Sequence, residues 1–228
     1  MTSPTPQGAL RAAVFDMDGT LVDNMRFHNT AWVEMARRHG LDVPVERFER
    51  EFAGKKNEEI FPLLLGRPVP PEELNRLAEE KESMYRQAYA KHLAPLAGAV
   101  ELLERMRKAG VRLAVATAAP PANRQLVLDG LGLRRLFEHV VGAEDVAHGK
   151  PAPDIYLKAA RALGVEPAAC VAFEDAVNGI LSARAAGMVA VGVTTMMDER
   201  ALAQAGARWS LPDFRALPAE LEARLFGA

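Results

Sequence analysis

Short, almost entirely apolar runs recur along the chain and alternate with segments in which apolar residues have helical spacing. Each run is apolar throughout rather than at every second position, which is typical of parallel strands covered by helices on both faces. The clearest runs predict strands at 12–15, 111–117, 139–143, 170–173 and 189–194. Helical spacing is clear at Leu103 and Met106, and Gly110 ends that helix. The pattern predicts an α/β fold with a doubly wound parallel sheet.

The segment between about residues 20 and 95 breaks this alternation. It contains no strand candidate, and its apolar spacing predicts helices at 26–39, 45–52, 57–65 and 71–91. Gly40, Pro44 and Gly66 separate these helices, and residues 93–98 offer a path back to the sheet. We therefore expect a helical cap domain at 25–93, inserted into a discontinuous α/β core formed by 9–24 and 94–228. Residues 1–8 are expected to form a flexible tail.

Composition narrows the classes of protein to consider. The chain has 228 residues, of which 49% are hydrophobic and 25% charged, with a net charge of -2, as expected for a soluble globular protein of one or two domains. This balance argues against a nucleic-acid partner. No apolar run approaches the ~20 residues of a membrane span, and residues 1–8 lack the basic and apolar regions of a signal peptide. The single cysteine, Cys170, is predicted to be a buried small hydrophobe, and we expect a cytoplasmic location.

Two carboxylates, Asp16 and Asp18, follow the first predicted strand, and Gly19 comes directly after them. Glycine lets the chain turn, so both acids can converge at the carboxyl end of the strand. In an open α/β sheet that end is where ligands bind. An acid pair at this place is also an ordinary turn or helix-capping signal, so its meaning depends on the other strand ends.

Polar residues follow three further strands. Thr117 ends one of them, Lys150 comes after another, and Glu174 and Asp175 follow a third. Because the carboxyl ends of parallel strands meet at one edge, the two acid pairs are expected to lie close together. They would repel each other unless a cation neutralised them, and hard oxygen ligands suit Mg²⁺. Magnesium in turn suggests a phosphate ligand. Taken alone, Lys150 would be a solvated loop lysine, and Asp175 could cap the helix predicted at 176–186.

Together these segments resemble the four motifs of the haloacid dehalogenase superfamily: DMDGT at 16–20, the strand-terminal Thr117, the lysine of GKPAPDIY and the FEDAVNGI segment. The order and spacing agree over nearly the whole chain. The helical insert, between the first and second motifs, resembles the small cap of the beta-phosphoglucomutase-like branch. The resemblance implies a Rossmann-like core and a Mg²⁺-dependent enzyme that acts on a small-molecule phosphate ester.

The resemblance also implies roles for individual residues. Asp16 would be the nucleophile that forms an aspartyl-phosphate, and Asp18 would protonate the leaving oxygen and then activate water. The implied phosphate-binding residues are Thr117, Lys150, Gly19 and Ala118. The implied metal ligands are Asp16, Asp18 through its backbone carbonyl, Glu174 and Asp175. The resemblance leaves open which side chains of the last pair contact the ion directly.

Four cap residues are candidates for substrate contact: His28, Lys55, Lys56 and Lys81. In the resemblance, His28 matches a histidine that couples lid closure to the acid/base aspartate, although histidine at such a place is commonly structural. Lys81 matches a cap lysine that reaches the substrate. A lysine between Glu80 and Glu82 on a helix is equally typical of a solvated face.

Two departures separate this chain from the mutases of that branch. Asn57 stands where those enzymes hold a second phosphate with an arginine, and Lys55 or Lys56 could supply charge but not the planar guanidinium fork. The loop after Thr117 reads AAPPAN in place of a more polar loop. Both departures weaken the mutase interpretation.

The sequence therefore predicts a Mg²⁺-dependent phosphatase acting on a sugar or polyol phosphate. A hexose phosphate mutase is the alternative, and a non-catalytic metal-binding or interaction protein of the same fold is the third possibility. Dehalogenation is disfavoured because it would leave Asp18 and the Glu174–Asp175 pair without a role. We expect a monomer or weak homodimer with no nucleic-acid or membrane partner.

Overall fold

A computed structural model describes residues 8–52 and 55–227, with residues 49 and 50 described by their backbone alone. Apart from Gly8, the predicted tail lies outside these residues. Within them, one parallel sheet has the spatial order β3-β2-β1-β4-β5-β6. Its strands are β1 (Ala12–Phe15), β2 (Arg112–Ala116), β3 (His139–Val141), β4 (Cys170–Glu174), β5 (Val189–Val193) and β6 (Trp209–Leu211). The strand order reverses between β1 and β4, so a crevice opens at their carboxyl ends.

The predicted α/β fold is confirmed, because helices cover both faces of this sheet. The helices of the described residues are α1 (Met25–Arg38), α2 (Val45–Arg47), α3 (Asn57–Leu65), α4 (Pro71–Tyr89), α5 (Ala99–Lys108), α6 (Pro121–Arg124), α7 (Asp154–Leu163), α8 (Val177–Ala185), α9 (Glu199–Ala205) and α10 (Ala219–Phe226). Alternate residues of β1 enter opposite layers of the core: Ala13 and Phe15 one layer, Ala12 and Val14 the other. This two-sided burial is why the strands are apolar throughout.

Helices α1, α3 and α4 and the segment Phe48–Phe52 pack around a hydrophobic cluster separate from the two layers beside the sheet. Trp32 belongs to this cluster, with ring centroids 5.9 Å from Phe48 and 5.1 Å from Phe61. The helix predicted at 45–52 is continuous but changes geometry, because α2 passes into a π-helical turn at Phe48–Phe52. The chain returns beside its exit point, where the backbone N–H of Leu96 donates to the carbonyl oxygen of Leu21 over 2.8 Å.

The five strands predicted from the sequence are found within two residues at each end, but β6 was not predicted. This edge strand is three residues long, and Trp209 and Ser210 are only partly buried. A strand that short, with one covered face, lacks the continuous apolar run that identified the others.

Two further features concern membrane-spanning helices and the single cysteine. In the described part of the chain, no helix combines the length and apolar character that crossing a bilayer requires. The thiol of Cys170 is fully buried, as predicted, and burial raises its pKa to about 11. A buried thiol with a raised pKa is a packing group rather than a nucleophile.

Candidate active site

Asp16 continues the backbone of β1 past its last residue, with its N–H donating to the carbonyl oxygen of Phe173 on β4 over 3.0 Å. Asp18 follows at the point where the chain turns at Gly19, whose φ is +77°. A Cβ on Gly19 would overlap the carboxylate of Asp175. The predicted turning role of Gly19 is therefore confirmed, and its lack of a side chain also lets Asp175 approach the turn.

The phosphate contact that the sequence predicts for Gly19 stays a prediction. The N–H of Gly19 donates to Oδ1 of Asn24 over 3.0 Å, and Gly19 is absent from the described residues that line the cavity beneath the cap. Nδ2 of Asn24 in turn donates to Oδ1 of Asp18 and to the hydroxyl oxygen of Tyr85, both over 2.6 Å. Asn24 is fully buried and fixes the turn and the second acid together.

Lys150 lies between two carboxylates under the floor of the cavity. Its Nζ donates to Oδ1 of Asp16 over 2.6 Å, to the carbonyl oxygen of Ala116 over 3.2 Å, and to Oε1 of Glu174. Only 2% of the residue is exposed, so the interpretation of Lys150 as a solvated loop lysine is wrong. Burial alone would lower the pKa of Lys150, but Asp16 and Glu174 raise it above its usual range. The lysine is therefore a fixed positive charge beside Asp16.

Asp16, Glu174 and Asp175 form a cluster of buried carboxylates in which one oxygen of each lies within 4.8 Å of the others. Burial raises the pKa of Asp16 and of Asp175 well above the usual range, and Glu174 raises both further, while Lys150 opposes the shift. Oδ2 of Asp175 is buried and has no hydrogen-bond partner among the described residues. An unpaired oxygen within a set of hard, mutually repelling donors fits a divalent cation such as Mg²⁺.

Thr117 directly follows β2 and lines the same cavity, with Ala118 beside it. Its backbone N–H donates to the carbonyl oxygen of Val141 over 3.1 Å, which keeps it in register with the sheet. The Thr117 hydroxyl oxygen accepts a hydrogen bond from the N–H of Ala119 over 3.0 Å, so its own proton remains available to donate to a ligand.

His28, on α1, reaches the acid pair from the cap. Its ring stacks on Tyr85 at 3.7 Å between centroids, and its Nε2 lies 3.6 Å from Oδ1 of Asp18. Nζ of Lys81 lies 2.9 Å from Nδ1 of His28. Because an ammonium group can only donate, Nδ1 accepts, and a neutral His28 carries its proton on Nε2, facing Asp18.

Lys81 is 2% exposed, so the interpretation as a solvated face is wrong for this lysine. Besides His28, its Nζ contacts Oε1 of Glu82 over 2.9 Å and lies 4.6 Å from the ring centroid of Trp32. Burial would raise the pKa of Glu82, but Lys81 and His28 overcome it and lower the value to about 2. The Glu82 carboxylate is therefore ionised inside the cavity.

The other two cap lysines lie in different places. Lys55 lines the cavity, together with Asn57 of α3. Lys56 does not: its Nζ donates to the carbonyl oxygens of Val146 and Ala147 of the core, over 2.5 and 3.5 Å. In this structure the ammonium group of Lys56 joins the cap to the core, and the contact of Lys56 with the substrate stays a prediction.

Sequence reasoning missed three buried polar residues of the site: Asn24, Glu82 and Asn123. Asn24 has the pattern of a helix N-cap, and Asn123 lies in the short helix α6, in a segment without a motif. Glu82 had a detectable signal, because it lies three residues before Tyr85 and so beside the buried stripe of α4. Leu77, Lys81, Tyr85 and Tyr89 recur every fourth residue along α4 and are all buried, so the stripe that contains Lys81 is the inward face of the helix.

The cavity between cap and core is lined by both acid pairs and by Thr117 and Lys150 of the core. Its cap side is lined by polar residues that include His28, Lys55, Asn57, Lys81 and Glu82. At its floor lie a carboxylate held by a buried lysine, a second carboxylate two residues later, and a set of oxygens suited to a cation. This arrangement can supply a nucleophile, a proton carrier and stabilisation of negative charge.

The chain is similar to known enzymes in both sequence and structure. A family model described as haloacid dehalogenase-like hydrolase matches residues 10–187. Fructose-1-phosphate phosphatase YqaB of Escherichia coli is 37% identical over 181 residues, covering 79% of this chain and 94% of the relative. Beta-phosphoglucomutase of Bacillus subtilis is 33% identical over 194 residues, covering 81% and 83%. The crystal structure of a family IA, variant 3 HAD hydrolase from Entamoeba histolytica superposes with a TM-score of 0.83 and 31% identity, covering 96% of this chain and all of the other.

Proposed function

The chain belongs to the haloacid dehalogenase-like hydrolase family, and we propose that it is a Mg²⁺-dependent phosphatase of a sugar or polyol phosphate that works through an aspartyl-phosphate. The observation that carries the proposal is the buried ion pair between Lys150 and Asp16 at the floor of a cavity that Asp18 also lines. The phosphatase named among its relatives, which is specified for fructose 1-phosphate, supports the choice of reaction and substrate class.

In the first step, a carboxylate oxygen of Asp16 attacks the phosphorus of the ester. The new O–P bond forms as the bond from phosphorus to the ester oxygen breaks, and Asp18 donates a proton to that leaving oxygen. Because Oδ1 of Asp16 accepts from Lys150, Oδ2 is the oxygen left for the attack. Lys150 and the hydroxyl of Thr117 would stabilise charge on the phosphoryl oxygens.

In the second step, water attacks the phosphorus of the aspartyl-phosphate and gives its proton to Asp18, which releases inorganic phosphate and regenerates the Asp16 carboxylate. Asn24 holds Oδ1 of Asp18 from one side, and His28 presents Nε2 at 3.6 Å from the same oxygen. A small movement of the cap would convert this approach into a hydrogen bond, so cap closure would bring His28 onto the acid/base residue while excluding bulk water.

Asp16, Glu174 and Asp175, with the backbone carbonyl of Asp18, are the residues we propose to hold Mg²⁺. When bound, the ion would offset the repulsion among these carboxylates and attract the phosphoryl oxygens of the substrate. The unpaired Oδ2 of Asp175 is the feature of the site that most favours an ion.

A hexose phosphate mutase is the second candidate, favoured by the 33% identity to beta-phosphoglucomutase. The two reactions differ in the group that receives the phosphoryl: water in a phosphatase, a sugar hydroxyl in a mutase. Asn57 on the cap side of the cavity argues for the phosphatase, because an amide is neutral and cannot form the two-pronged ion pair of a guanidinium with phosphate. A cytoplasmic location and a monomeric or weakly dimeric state belong to the same proposal.

The proposal is tested by measuring inorganic phosphate released from a panel of sugar, polyol and aryl phosphates, with Mg²⁺ and with EDTA. We expect Mg²⁺-dependent release from at least one sugar or polyol phosphate, and none from the Asp16→Asn variant. Interconversion of beta-glucose 1-phosphate and glucose 6-phosphate without phosphate release would instead identify a mutase. No turnover of any ester, including the aryl phosphate, would favour a binding protein.

A further inference from the structure

The cap side of the cavity contains a buried carboxylate, Glu82, that the proposed chemistry does not use. The residue is 4% exposed and lines the cavity together with Asn57. Its Oε1 accepts hydrogen bonds from Lys81 over 2.9 Å and from Nδ2 of Asn57 over 3.2 Å. Its Oε2 accepts from Nδ2 of Asn123, a residue of the core, over 2.7 Å. Glu82 is thus fixed in place by three donors from cap and core.

These bonds leave acceptor atoms on this side of the cavity. An ionised carboxylate offers about four acceptor positions. Three of those on Glu82 are used by Lys81, Asn57 and Asn123, so Oε2 keeps one for a ligand. Because an ionised carboxylate cannot donate, the Asn57 amide must present its nitrogen to Glu82, and its oxygen remains for another donor. Glu82 and Asn57 therefore favour a ligand group that donates hydrogen bonds to them.

The nearby cations are already used by the protein. Lys81 contacts Glu82, Nδ1 of His28 and the ring of Trp32. Lys150 contacts Asp16, Glu174 and a backbone oxygen. The described residues that line the cavity include no arginine, so Lys55 is the remaining basic side chain of that lining, and it cannot form the bidentate pair that holds a phosphate firmly.

We propose that this chain selects phosphate monoesters whose far end carries hydroxyl groups and discriminates against esters with a second phosphate, with Glu82 and Asn57 as the residues that determine this specificity. A hydroxyl can donate to Oε2 of Glu82 or to the Asn57 oxygen, whereas a phosphate dianion has no proton to donate and is repelled by the Glu82 carboxylate. The inference rests on the proposed function and adds the class of substrate tail.

The first experiment compares matched substrates that differ only at the far end: fructose 1-phosphate with fructose 1,6-bisphosphate, and glucose 1-phosphate with glucose 1,6-bisphosphate. Phosphate release is measured with the Mg²⁺-loaded protein, and p-nitrophenyl phosphate reports on the chemistry alone. We expect kcat/KM to favour the monophosphate by about tenfold or more in the better-used pair, the scale of one charged hydrogen bond.

The outcomes separate this inference from the proposed function. Loss of turnover on every ester, the aryl phosphate included, would contradict the proposed function itself. Turnover of the aryl phosphate and of a bisphosphate as fast as its monophosphate would overturn the specificity inference alone. Turnover of the aryl phosphate with neither member of either pair would overturn it too, because the hydroxyl-bearing tail would then contribute nothing.

The second experiment uses Glu82→Gln and Asn57→Ala, with Glu72→Gln as a matched control on the exposed first turn of the same helix. We expect the first two variants to raise KM for the monophosphate by about tenfold and to raise KM for p-nitrophenyl phosphate, which has no hydroxyl-bearing tail, much less; Glu72→Gln should change neither value. An equal loss on both substrates would assign Glu82 a purely structural role. Asn57→Ala leaves the Lys81–Glu82 pair intact, so it tests the specificity even where Glu82→Gln unfolds the protein.

Discussion

Nζ of Lys81 and Nδ1 of His28 are 2.9 Å apart, so a lysine on one cap helix determines which ring nitrogen of a histidine on another faces the acid pair. The opposite nitrogen, Nε2, lies 3.6 Å from Oδ1 of Asp18 and has no hydrogen-bond partner among the described residues. Glu82 holds Lys81 from the other side. A chain of polar contacts thus runs from the cap side of the cavity to the proposed acid/base residue.

Lys81→Met is expected to lower kcat for p-nitrophenyl phosphate by about tenfold or more, the smaller end of the usual contribution of general acid–base catalysis. Without the ammonium group, Nδ1 of His28 loses its donor and either tautomer can form. KM for this small ester should change less than kcat. The matched control is Lys91→Met at an exposed lysine. Equal kcat values in the two variants would show that Lys81 does not influence the acid/base step.

Gly19→Ala is expected to weaken both folding and Mg²⁺ binding, because the new methyl group overlaps Asp175 and the backbone has φ of +77°. Gly40→Ala is the control, since φ there is +71° but nothing lies within 4 Å of the added Cβ. The control should lose about 1 kcal/mol of unfolding free energy from backbone strain alone. Denaturant unfolding and calorimetric Mg²⁺ titration measure both quantities. Identical Mg²⁺ affinity in both variants would show that the position of Asp175 does not affect Mg²⁺ binding.

The buried charge of Glu82 predicts a pH-dependent stability. The pKa in the folded protein is about 2 against an ordinary value of 4.5, so its ionised form stabilises the fold above the ordinary value, and this contribution is lost as pH falls towards 2. Unfolding free energies of the wild type and Glu82→Gln should differ most above pH 5, by on the order of 2 kcal/mol, and converge in acid. Glu72→Gln should show no such convergence. A gap that widens in acid would contradict the charge assignment.

Mg²⁺ binding should distinguish the two acids of the turn. Asp16→Asn and Asp175→Asn are expected to weaken Mg²⁺ affinity by about tenfold or more, because each removes an anionic oxygen from the proposed ligand set. Asp18→Asn should leave the affinity largely unchanged, since only its backbone carbonyl is proposed as a ligand. Calorimetric titration of the three variants checks this. Equal losses at Asp16 and Asp18 would show that the side chain of Asp18 also binds the ion.

The strands and the floor of the site could be predicted from the sequence, because both depend on local pattern. Buried strands such as β1 are apolar throughout, and the residues after them meet at one edge of the sheet wherever the exact strand ends fall. The short edge strand β6 carries no such pattern. The prediction that Asp16, Thr117 and Lys150 meet therefore needed only that these strands are parallel, and all three residues line the same cavity.

The cap side of the site could not be predicted in the same way, because its residues are defined by how two units pack. Lys55 and Lys56 are neighbours of the same type, yet one lines the cavity and the other binds core carbonyl oxygens. Asn123 and Glu82 are 41 residues apart in sequence and meet only when the cap covers the core. For Lys81 the four-residue spacing of buried positions on α4 was informative, but its charged neighbours left the solvated interpretation equally open.

The most direct test of the account is whether Asp16 carries the phosphoryl group during turnover. The Mg²⁺-loaded protein is mixed with p-nitrophenyl phosphate, quenched in acid within a turnover, digested, and searched by mass spectrometry for a phosphorylated peptide. We predict phosphate on Asp16 in the wild type, more of it in Asp18→Asn because the water-activating base is lost, and none in Asp16→Asn. Turnover without any covalent phosphate on Asp16 in the wild type or in Asp18→Asn would contradict the account.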